Sequence, residues 1–161
     1  MLRLYCFAQS GNCFKVAFAL RAMGLPFEMV PVDFFGGATR EPHWRAAINP
    51  MGEVPVLQDG ERKLSQSGAI LVWLARKTGL FGGADEDQQF EALRWILFDN
   101  HKFTSPFATL RYMKSFAPNP PDPAVMGFLR SRLETAWAIV EQQLAAQPYL
   151  CGAEPTIADF S

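Results

Sequence analysis

Cysteine is scarce in this chain: among 161 residues, only Cys6, Cys13 and Cys151 carry a thiol. Three cysteines cannot all pair with one another, and they lack the C-x-x-C spacing with partner histidines that zinc sites show. We therefore expect free thiols, a reducing and cytoplasmic setting, and no structural metal.

An excess of charge of either sign is also missing. Lys and Arg together number 15, and Asp and Glu together number 16. A chain without a basic surplus has little electrostatic attraction for nucleic acid or for an anionic membrane surface. We therefore expect neither nucleic acid nor a membrane as a partner.

Long hydrophobic runs are absent as well. Apolar stretches such as residues 69–75 fall well short of the roughly 18 residues that a transmembrane helix requires. The apolar opening at residues 1–8 is followed at once by polar Gln9 and Ser10, so it is too short for a signal peptide. We predict that this opening forms a first strand and that no segment spans a membrane.

The residues that are present indicate a globular chain, since 49% are apolar. The beginning of the chain alternates between strand and helix patterns. An apolar run at 2–7 precedes turn and capping residues at 10–12, helical apolar spacing through 13–23 and an alternating segment at 27–33. These patterns predict a strand–helix–strand unit with parallel strands, whose first turn lies at the carboxyl edge of the sheet.

The next patterns complete a first domain. We predict a short helix around Trp44, a hairpin that turns at Asp59-Gly60, and a helix that Ser65 or Ser67 caps and Gly79 ends. The hairpin makes the last two strands antiparallel. The predicted order is βαβαββα, an α/β domain over residues 1–79.

Only helical patterns follow residue 79. Residues 80–87 are rich in glycine and acidic side chains, which predicts a linker. Apolar spacing predicts long amphipathic helices over 88–114 and 128–144, with the proline cluster at 118–123 as the loop between them. We therefore predict an all-α second domain over residues 88–161.

Two motifs, at residues 49–57 and 64–70, resemble the cytosolic glutathione S-transferases when they occur at this spacing in a βαβαββα domain followed by helices. The resemblance extends over nearly the whole chain. It implies a thioredoxin-like glutathione-binding domain followed by an all-helical domain that covers a small hydrophobic electrophile. Residues 10–16 are similar to bacterial members of the family, and residues 99–106 are similar to its beta class.

The activity that this resemblance implies is conjugation. The enzyme binds glutathione as a cosubstrate, activates it as a thiolate and adds it to an electrophilic carbon, with no metal. The nature of the electrophile is not encoded in any motif of the chain.

The resemblance assigns glutathione binding to five residues: Glu53, Val54, Pro55, Gln66 and Ser67. Val54 pairs through its backbone with the peptide beside a cis Pro55, Gln66 fixes the γ-glutamyl group, and Ser67 with its N–H holds the glutamyl carboxylate. The first turn of a helix favours an anion, because its N–H groups lack intrahelical partners. A trans proline at a strand start and a serine that merely caps a helix are the ordinary alternatives.

Ser10 and Asn12 are the candidates for activating the thiol, because they lie between the first strand and helix at the same edge. Ser10 matches the catalytic serine of the family's serine-type classes, and Asn12 stands where beta-class members place a cysteine. Lowering a thiol pKa of roughly 8.5 by two units requires about 2.7 kcal/mol. A hydroxyl bond to a charged acceptor contributes roughly 1.5–3 kcal/mol and a helix N-terminus about 0.3–1 more. The alternative for this segment is an ordinary turn and cap.

Cys13 supports a second enzymatic hypothesis, thiol–disulfide exchange or deglutathionylation, because the first turn of a helix favours a thiolate. Against this, Cys13 has no partner at C-x-x-C spacing and precedes an apolar stripe where a small thiol packs well. A third hypothesis is a non-catalytic module of the same fold that binds ligands or proteins.

His101, Lys102 and Phe103 are the candidates for the substrate pocket in the second domain. His101 and Lys102 match the beta-class pair on the helix wall that faces the thiol. The ordinary alternatives are a solvated charge and a core aromatic side chain.

We also expect a homodimer that uses the first long helix. Trp95, Phe98 and Phe103 give this helix more apolar surface than one partner helix can cover. Family members dimerise between unlike domains of two subunits.

Residues 156–159 match the N-capping box that precedes a further helix in this family. Family members continue with that buried helix, whereas this sequence ends at Ser161. We therefore expect the chain to be a fragment or an incomplete sequence, with an incomplete helical domain.

Overall fold

The computed structural model describes all 161 residues, which form two units. Residues 1–82 together with 160–161 make up the first unit, and residues 83–159 make up the second.

The first unit contains a four-stranded sheet in the order β2-β1-β3-β4. Strand β1 pairs parallel with β2 and antiparallel with β3, and β3 pairs antiparallel with β4. This arrangement confirms the predicted order βαβαββα. Its elements are β1 (Leu2–Cys6), α1 (Gly11–Ala22), β2 (Phe27–Pro31), α2 (Pro42–Ala47), β3 (Val56–Asp59), β4 (Arg62–Ser65) and α3 (Ser67–Thr78).

The side chains of neighbouring residues in β1 point to opposite faces of this sheet, because side chains along a strand alternate in direction. On one face, Tyr5 joins Val32, Val56 and Trp44 of α2 in a buried cluster. The Leu4 side chain points to the other face and is fully buried, and helices α1 and α3 pack against each other. The apolar stripe predicted for α1 is buried throughout: Val16, Ala19, Leu20 and Met23.

The second unit is helical, as predicted, with α4 (Glu86–Phe98), α5 (Ser105–Ser115) and α6 (Pro123–Ala146). Asp85 caps α4 by accepting the Gln88 N–H at 2.8 Å, so α4 begins within the segment 80–87 that the sequence predicts as a linker. None of the helices combines the length and hydropathy that crossing a membrane requires.

The helix predicted over 88–114 is present, and the chain is helical without a break from Glu86 to Ser115, but a π-helical stretch, Asp99–Thr104, lies between α4 and α5. Pro106 explains this departure from α-helical hydrogen bonding. It has no N–H to donate to the carbonyl of Lys102, and its ring would clash with that carbonyl in a regular α-helix. The Thr104 hydroxyl donates to the Asp99 carboxylate at 2.8 Å, across one wide turn of this stretch.

The prediction of which residues form the apolar surface of this helix is wrong in part. Trp95 is only 4% exposed, and its indole N–H donates to Glu91 at 2.9 Å, so its side chain is not part of the exposed surface of α4. The exposed apolar side chains of α4 are Phe90, Leu93 and Leu97, at 63%, 37% and 59%. Their spacing of three and four residues places them on one face of the helix.

The predicted capping box at residues 156–159 forms. The Asp159 carboxylate accepts the Thr156 N–H at 2.8 Å, and the Thr156 hydroxyl oxygen accepts the Ala158 N–H at 3.3 Å. The other carboxylate oxygen of Asp159 accepts the Leu150 N–H at 2.8 Å, which ties the box to the segment that follows α6.

Candidate functional site

Three segments of the first unit carry the predicted glutathione and thiol residues. They are the turn before α1 with the first residues of that helix, the loop that leads from α2 into β3, and the start of α3. Hydrogen bonds between side chains connect the first segment to the third and the second to the third.

Ser10 is the N-cap of α1. Its backbone is extended, with φ −85° and ψ 116°, and its side-chain oxygen accepts the Cys13 N–H at 3.1 Å. A hydroxyl has two lone pairs and one hydrogen, so this cap leaves the O–H of Ser10 able to donate. The predicted cap and a thiol-activating donor are therefore compatible in one side chain.

Asn12 connects the start of α1 to the start of α3. Its side-chain carbonyl accepts the Ser67 hydroxyl at 3.3 Å, and Ser67 is buried. The structure thus brings together one residue that the sequence assigns to the thiol and one that it assigns to the glutamyl carboxylate. The Asn12 side chain still has its two N–H donors for a ligand or a neighbour.

The start of α3 differs from the prediction. Neither Ser65 nor Ser67 caps this helix: the N-cap is Gln66, and its side chain makes no capping hydrogen bond. Gln66 has φ +69°, a region that costs a non-glycine residue of order 1–3 kcal/mol. Such strain clusters at functional sites, and here it leaves the first-turn N–H groups of α3 without a side-chain cap.

The Gln66 side chain instead reaches the loop before β3. Its amide nitrogen donates to the Glu53 carboxylate at 2.6 Å and lies 3.7 Å from the sulfur of Met51. The Ser65 hydroxyl is also 3.7 Å from that sulfur. Glu53 and Gln66, both predicted from the family motifs, are therefore direct neighbours.

Asn49 is a site residue that sequence reasoning treated only as part of a turn. It is 4% exposed, its side-chain N–H donates to the Glu53 carbonyl at 2.9 Å, and its side-chain oxygen accepts the Met51 N–H at 3.1 Å. Gly52, at φ +70°, completes the turn with an N–H bond to the Asn49 carbonyl. The signal was an asparagine at the start of an Asn-Pro-x-Gly turn, where its side chain can bond to nearby backbone.

Val54 and Pro55 follow this turn. The peptide bond between them is cis, as the resemblance implies, and Pro55 is buried while Val54 is half-buried. Strand β3 begins only at Val56, which pairs with Tyr5 in the sheet. The backbone of Val54 therefore lies outside the sheet ladder.

The Cys13 thiol is buried, and this burial raises its pKa above the ordinary value, with hydrogen bonding from Ser10 and the Phe7 backbone opposing the rise. Burial also raises the pKa of Cys6, and a negative charge on Cys13 would raise it further. A buried thiol with a raised pKa is a poor nucleophile at neutral pH. The geometry therefore favours a packing role for Cys13 over disulfide exchange.

The candidates for the substrate pocket lie in the second unit. His101 and Lys102 are exposed, whereas Phe103 is half-buried and packs against Trp137 at a ring distance of 5.5 Å. Lys102 lines a cavity of about 250 Å³, together with the side chains Phe98, Arg132, Thr135, Ala136 and Ile139. In this chain no cluster of three or more His, Cys, Asp or Glu side chains is arranged to hold a metal ion.

Comparison with known proteins identifies both parts of the chain. Residues 1–76 match the family model "Glutathione S-transferase, N-terminal domain", and residues 72–161 match "Glutathione S-transferase, C-terminal domain". The maize protein "Glutathione S-transferase 3" is 34% identical over 98% of this chain, which spans 73% of the maize protein's length.

Solved structures agree. A glutathione S-transferase from Pseudomonas fluorescens is 31% identical, with a TM-score of 0.89 over 99% of this chain and 79% of its own. A glutathione S-transferase-I bound with lactoylglutathione is 27% identical, with a TM-score of 0.85 over 99% of this chain and 78% of its own. The chain therefore belongs to the glutathione S-transferase family, and it is a glutathione transferase with a thioredoxin-like first domain and an all-α second domain.

Proposed function

We propose that the first unit binds glutathione between the Met51–Val54 turn and the start of α3, and that Ser10 activates its thiol. The observation that carries this proposal is the uncapped start of α3 at Gln66 and Ser67, connected by side-chain hydrogen bonds both to Asn12 and to Glu53. A similar structure that contains lactoylglutathione supports glutathione as the ligand.

The glutamyl end of glutathione belongs at α3. Its α-carboxylate accepts the N–H of Ser67 at the positive end of the helix dipole, and Gln66 with Glu53 binds the glutamyl group. Glu53 is an acceptor, so it suits the glutamyl ammonium, while the Gln66 amide can serve either charge. The hydrogen bond between Glu53 and Gln66 keeps both side chains at this position.

The middle of the tripeptide belongs at Val54. Its N–H and C=O lie outside the sheet ladder, so an extended peptide can pair with them as an added strand does. Buried Pro55 shapes this edge, and Asn49 holds the turn in front of it.

The cysteine thiol of glutathione belongs at the turn before α1. The Ser10 oxygen already accepts the Cys13 N–H, and the hydroxyl keeps one hydrogen that it can donate. A hydroxyl bond to a thiolate contributes roughly 1.5–3 kcal/mol, and the first turn of α1 adds about 0.3–1. Together these reach the roughly 2.7 kcal/mol that a shift of two pKa units requires. Asn12 assists through its side-chain N–H groups.

The electrophile is a small hydrophobic molecule that contacts the second unit at His101, Lys102 and Phe103. Phe103 presents a half-buried ring supported by Trp137, and Lys102 adds a positive charge for a polar substituent. Disulfide exchange by Cys13 receives no support, because that thiol is buried with a raised pKa.

The chain forms a homodimer, as is typical of the family, and the apolar face of α4 at Phe90, Leu93 and Leu97 supports this. Its three cysteines are unpaired, which supports a cytoplasmic location. The likeness to the Pseudomonas fluorescens structure supports a bacterial type.

The test is the rise in melting temperature that glutathione produces, measured in wild type, Ser67→Ala and Ser65→Ala. Ser67→Ala removes a hydroxyl of the anion site and its bond to Asn12, so the rise should shrink while the unliganded protein stays folded. Ser65→Ala is the matched control, because its hydroxyl contacts only the Met51 sulfur. No rise in wild type, or an equal rise in Ser67→Ala, would show that the site is misplaced.

A further inference from the structure

Met51 belongs to the candidate site, but the proposed chemistry does not use it. Its side chain is 60% exposed, and its sulfur lies 3.7 Å from both the Ser65 hydroxyl oxygen and the Gln66 amide nitrogen. Two hydrogen-bond donors therefore meet at one solvent-accessible thioether, directly beside the Glu53–Gln66 pair.

The chemistry of this sulfur changes strongly with oxidation. A thioether is a weak hydrogen-bond acceptor, whereas methionine sulfoxide is polar and carries an oxygen. Oxidation would place that oxygen between the same two donors. The weak contact of Gln66 with Met51 would then become a full hydrogen bond that competes with a ligand for the amide.

We propose that Met51 is an oxidation site through which peroxide weakens glutathione binding; this rests on the role proposed above for Gln66. A sulfur lone pair attacks one oxygen of hydrogen peroxide, and the S–O bond forms as the O–O bond breaks. The departing hydroxide takes the proton of the transferred oxygen and leaves as water. Sulfur loses two electrons, which the peroxide gains.

Met51 combines solvent exposure with hydrogen-bond donors near its sulfur. Two other methionines each have only one of these two features. Met29 is also 60% exposed, but it lies in β2, at the opposite edge of the sheet from β4. The Met23 sulfur accepts the Thr78 hydroxyl at 3.8 Å, but this side chain is 7% exposed. Met29 is therefore a control for accessibility, and Met23 is a control for the donor contact.

The experiment treats the protein with hydrogen peroxide and then with dithiothreitol, which reverses reversible cysteine oxidation but not methionine sulfoxide. Peptide mass spectrometry records which methionines gain one oxygen atom. The KM for glutathione is then measured with an aryl halide. In wild type, we expect Met51 and Met29 to be oxidised, Met23 to be protected, and the KM to rise about five- to tenfold, as expected for losing about one hydrogen bond. Methionine sulfoxide reductase should restore the original KM.

Three variants make the result specific. In Met51→Leu the KM should be the same before and after peroxide, whereas Met29→Leu should respond to peroxide as wild type does. Met51→Gln places a polar oxygen near the same donors without oxidation, and it should raise the KM in untreated protein.

The inference is overturned if Met51 does not gain oxygen, if it gains oxygen at constant KM, or if Met51→Leu loses affinity in peroxide as wild type does. A glutathione-dependent rise in melting temperature of the untreated wild type checks the proposed site separately. If that rise is absent, the glutathione site itself is wrong; if it is present and survives oxidation, only the role of Met51 is wrong.

Discussion

Ser10 caps α1 with the same hydroxyl that we assign to the glutathione thiolate. The cap uses a lone pair of the oxygen and the thiolate would use its hydrogen, so the structural and the catalytic roles reinforce each other. Cys13, one turn further, illustrates the opposite outcome. Its N–H serves the cap, but burial keeps its own thiol protonated.

We predict that Ser10→Ala lowers the conjugation rate at neutral pH by about tenfold or more. Losing a hydroxyl bond of about 1.5–3 kcal/mol to the thiolate raises the pKa of bound glutathione by roughly one to two units. The KM for glutathione should change little, because the hydroxyl acts on the charged form. The measurement is the rate of conjugation to an aryl halide against pH, where the profile of Ser10→Ala should move to higher pH.

Two further variants distinguish the contribution of Ser10 from those of its neighbours Asn12 and Cys13. Asn12→Ala should lower the rate less than Ser10→Ala, and Cys13→Ala should keep most of the rate. Cap loss costs about 0.5–2 kcal/mol of stability, so each variant is checked for folding by thermal melting. A pH profile unmoved by Ser10→Ala but a rate abolished by Cys13→Ala would overturn the assignment and favour disulfide exchange.

The raised thiol pKa of Cys13 predicts a loss of stability at alkaline pH. A thiol whose pKa is higher in the folded state stabilises the protein below the unfolded pKa of about 8.5, and this contribution is lost as pH rises through the folded pKa. We therefore expect the free energy of unfolding, measured with urea, to fall from pH 7.5 to 10. The fall should be smaller in Cys13→Ala. An equal fall in both proteins would assign it to other groups, such as Cys6 and Cys151, whose pKa burial also raises.

At the level of elements, the turn before β3 and the start of α3 form one framework. The Asn49 side chain donates a hydrogen bond to the backbone of the turn, and the Glu53 carboxylate in that turn accepts one from the Gln66 side chain. Next to Gln66, the Ser67 hydroxyl donates to the Asn12 side chain of α1. The edge at Val54 that we propose for the peptide thus follows a turn that the buried Asn49 side chain supports. In the second unit, the π-helical stretch departs locally from α-helical geometry, because Pro106 prevents regular α-helical hydrogen bonding there.

We predict that Asn49→Ala raises the KM for glutathione severalfold while kcat changes less, because the turn that presents Val54 loses both of its side-chain bonds. Leaving the Glu53 carbonyl and Met51 N–H unpaired should also cost about 1–3 kcal/mol of stability. Asn49→Asp keeps the acceptor for Met51 N–H and should recover part of the affinity. Asn119→Ala, in the exposed loop before α6, is the control. A KM unchanged in folded Asn49→Ala would remove the positioning role.

At the scale of the whole chain, we propose a different role for each of the two units. The first unit carries the residues proposed for glutathione and for thiol activation, and the second carries aromatic and cationic side chains proposed for the electrophile. The exposed apolar face of α4, at Phe90, Leu93 and Leu97, is the surface that we assign to association.

We predict that Leu97→Glu converts the dimer to a monomer, because it puts a charge into an apolar contact surface. Multi-angle light scattering across a concentration series measures the mass. Val125→Glu, at a similarly exposed apolar residue of α6, should leave the mass unchanged. A wild type that is already monomeric at high concentration would count against the dimer.

Local patterns were sufficient for the order of elements. The alternation of strand and helix periods and the Asp59-Gly60 turn are each contained in a few consecutive residues, so they predict βαβαββα and the helical second domain. The two family motifs name Glu53 and Gln66 as glutathione-binding residues, but the hydrogen bond between the two side chains is a feature of the folded chain. Only the folded chain decided features that depend on residues distant in sequence. Trp95 is buried because other segments cover it, Asn12 contacts Ser67 because α1 and α3 pack together, and Asn49 supports its turn because its own side chain is buried and bonds to the turn backbone. The raised pKa of Cys13 has the same origin, since a sequence states which thiol precedes a helix but not how much water the fold leaves around it.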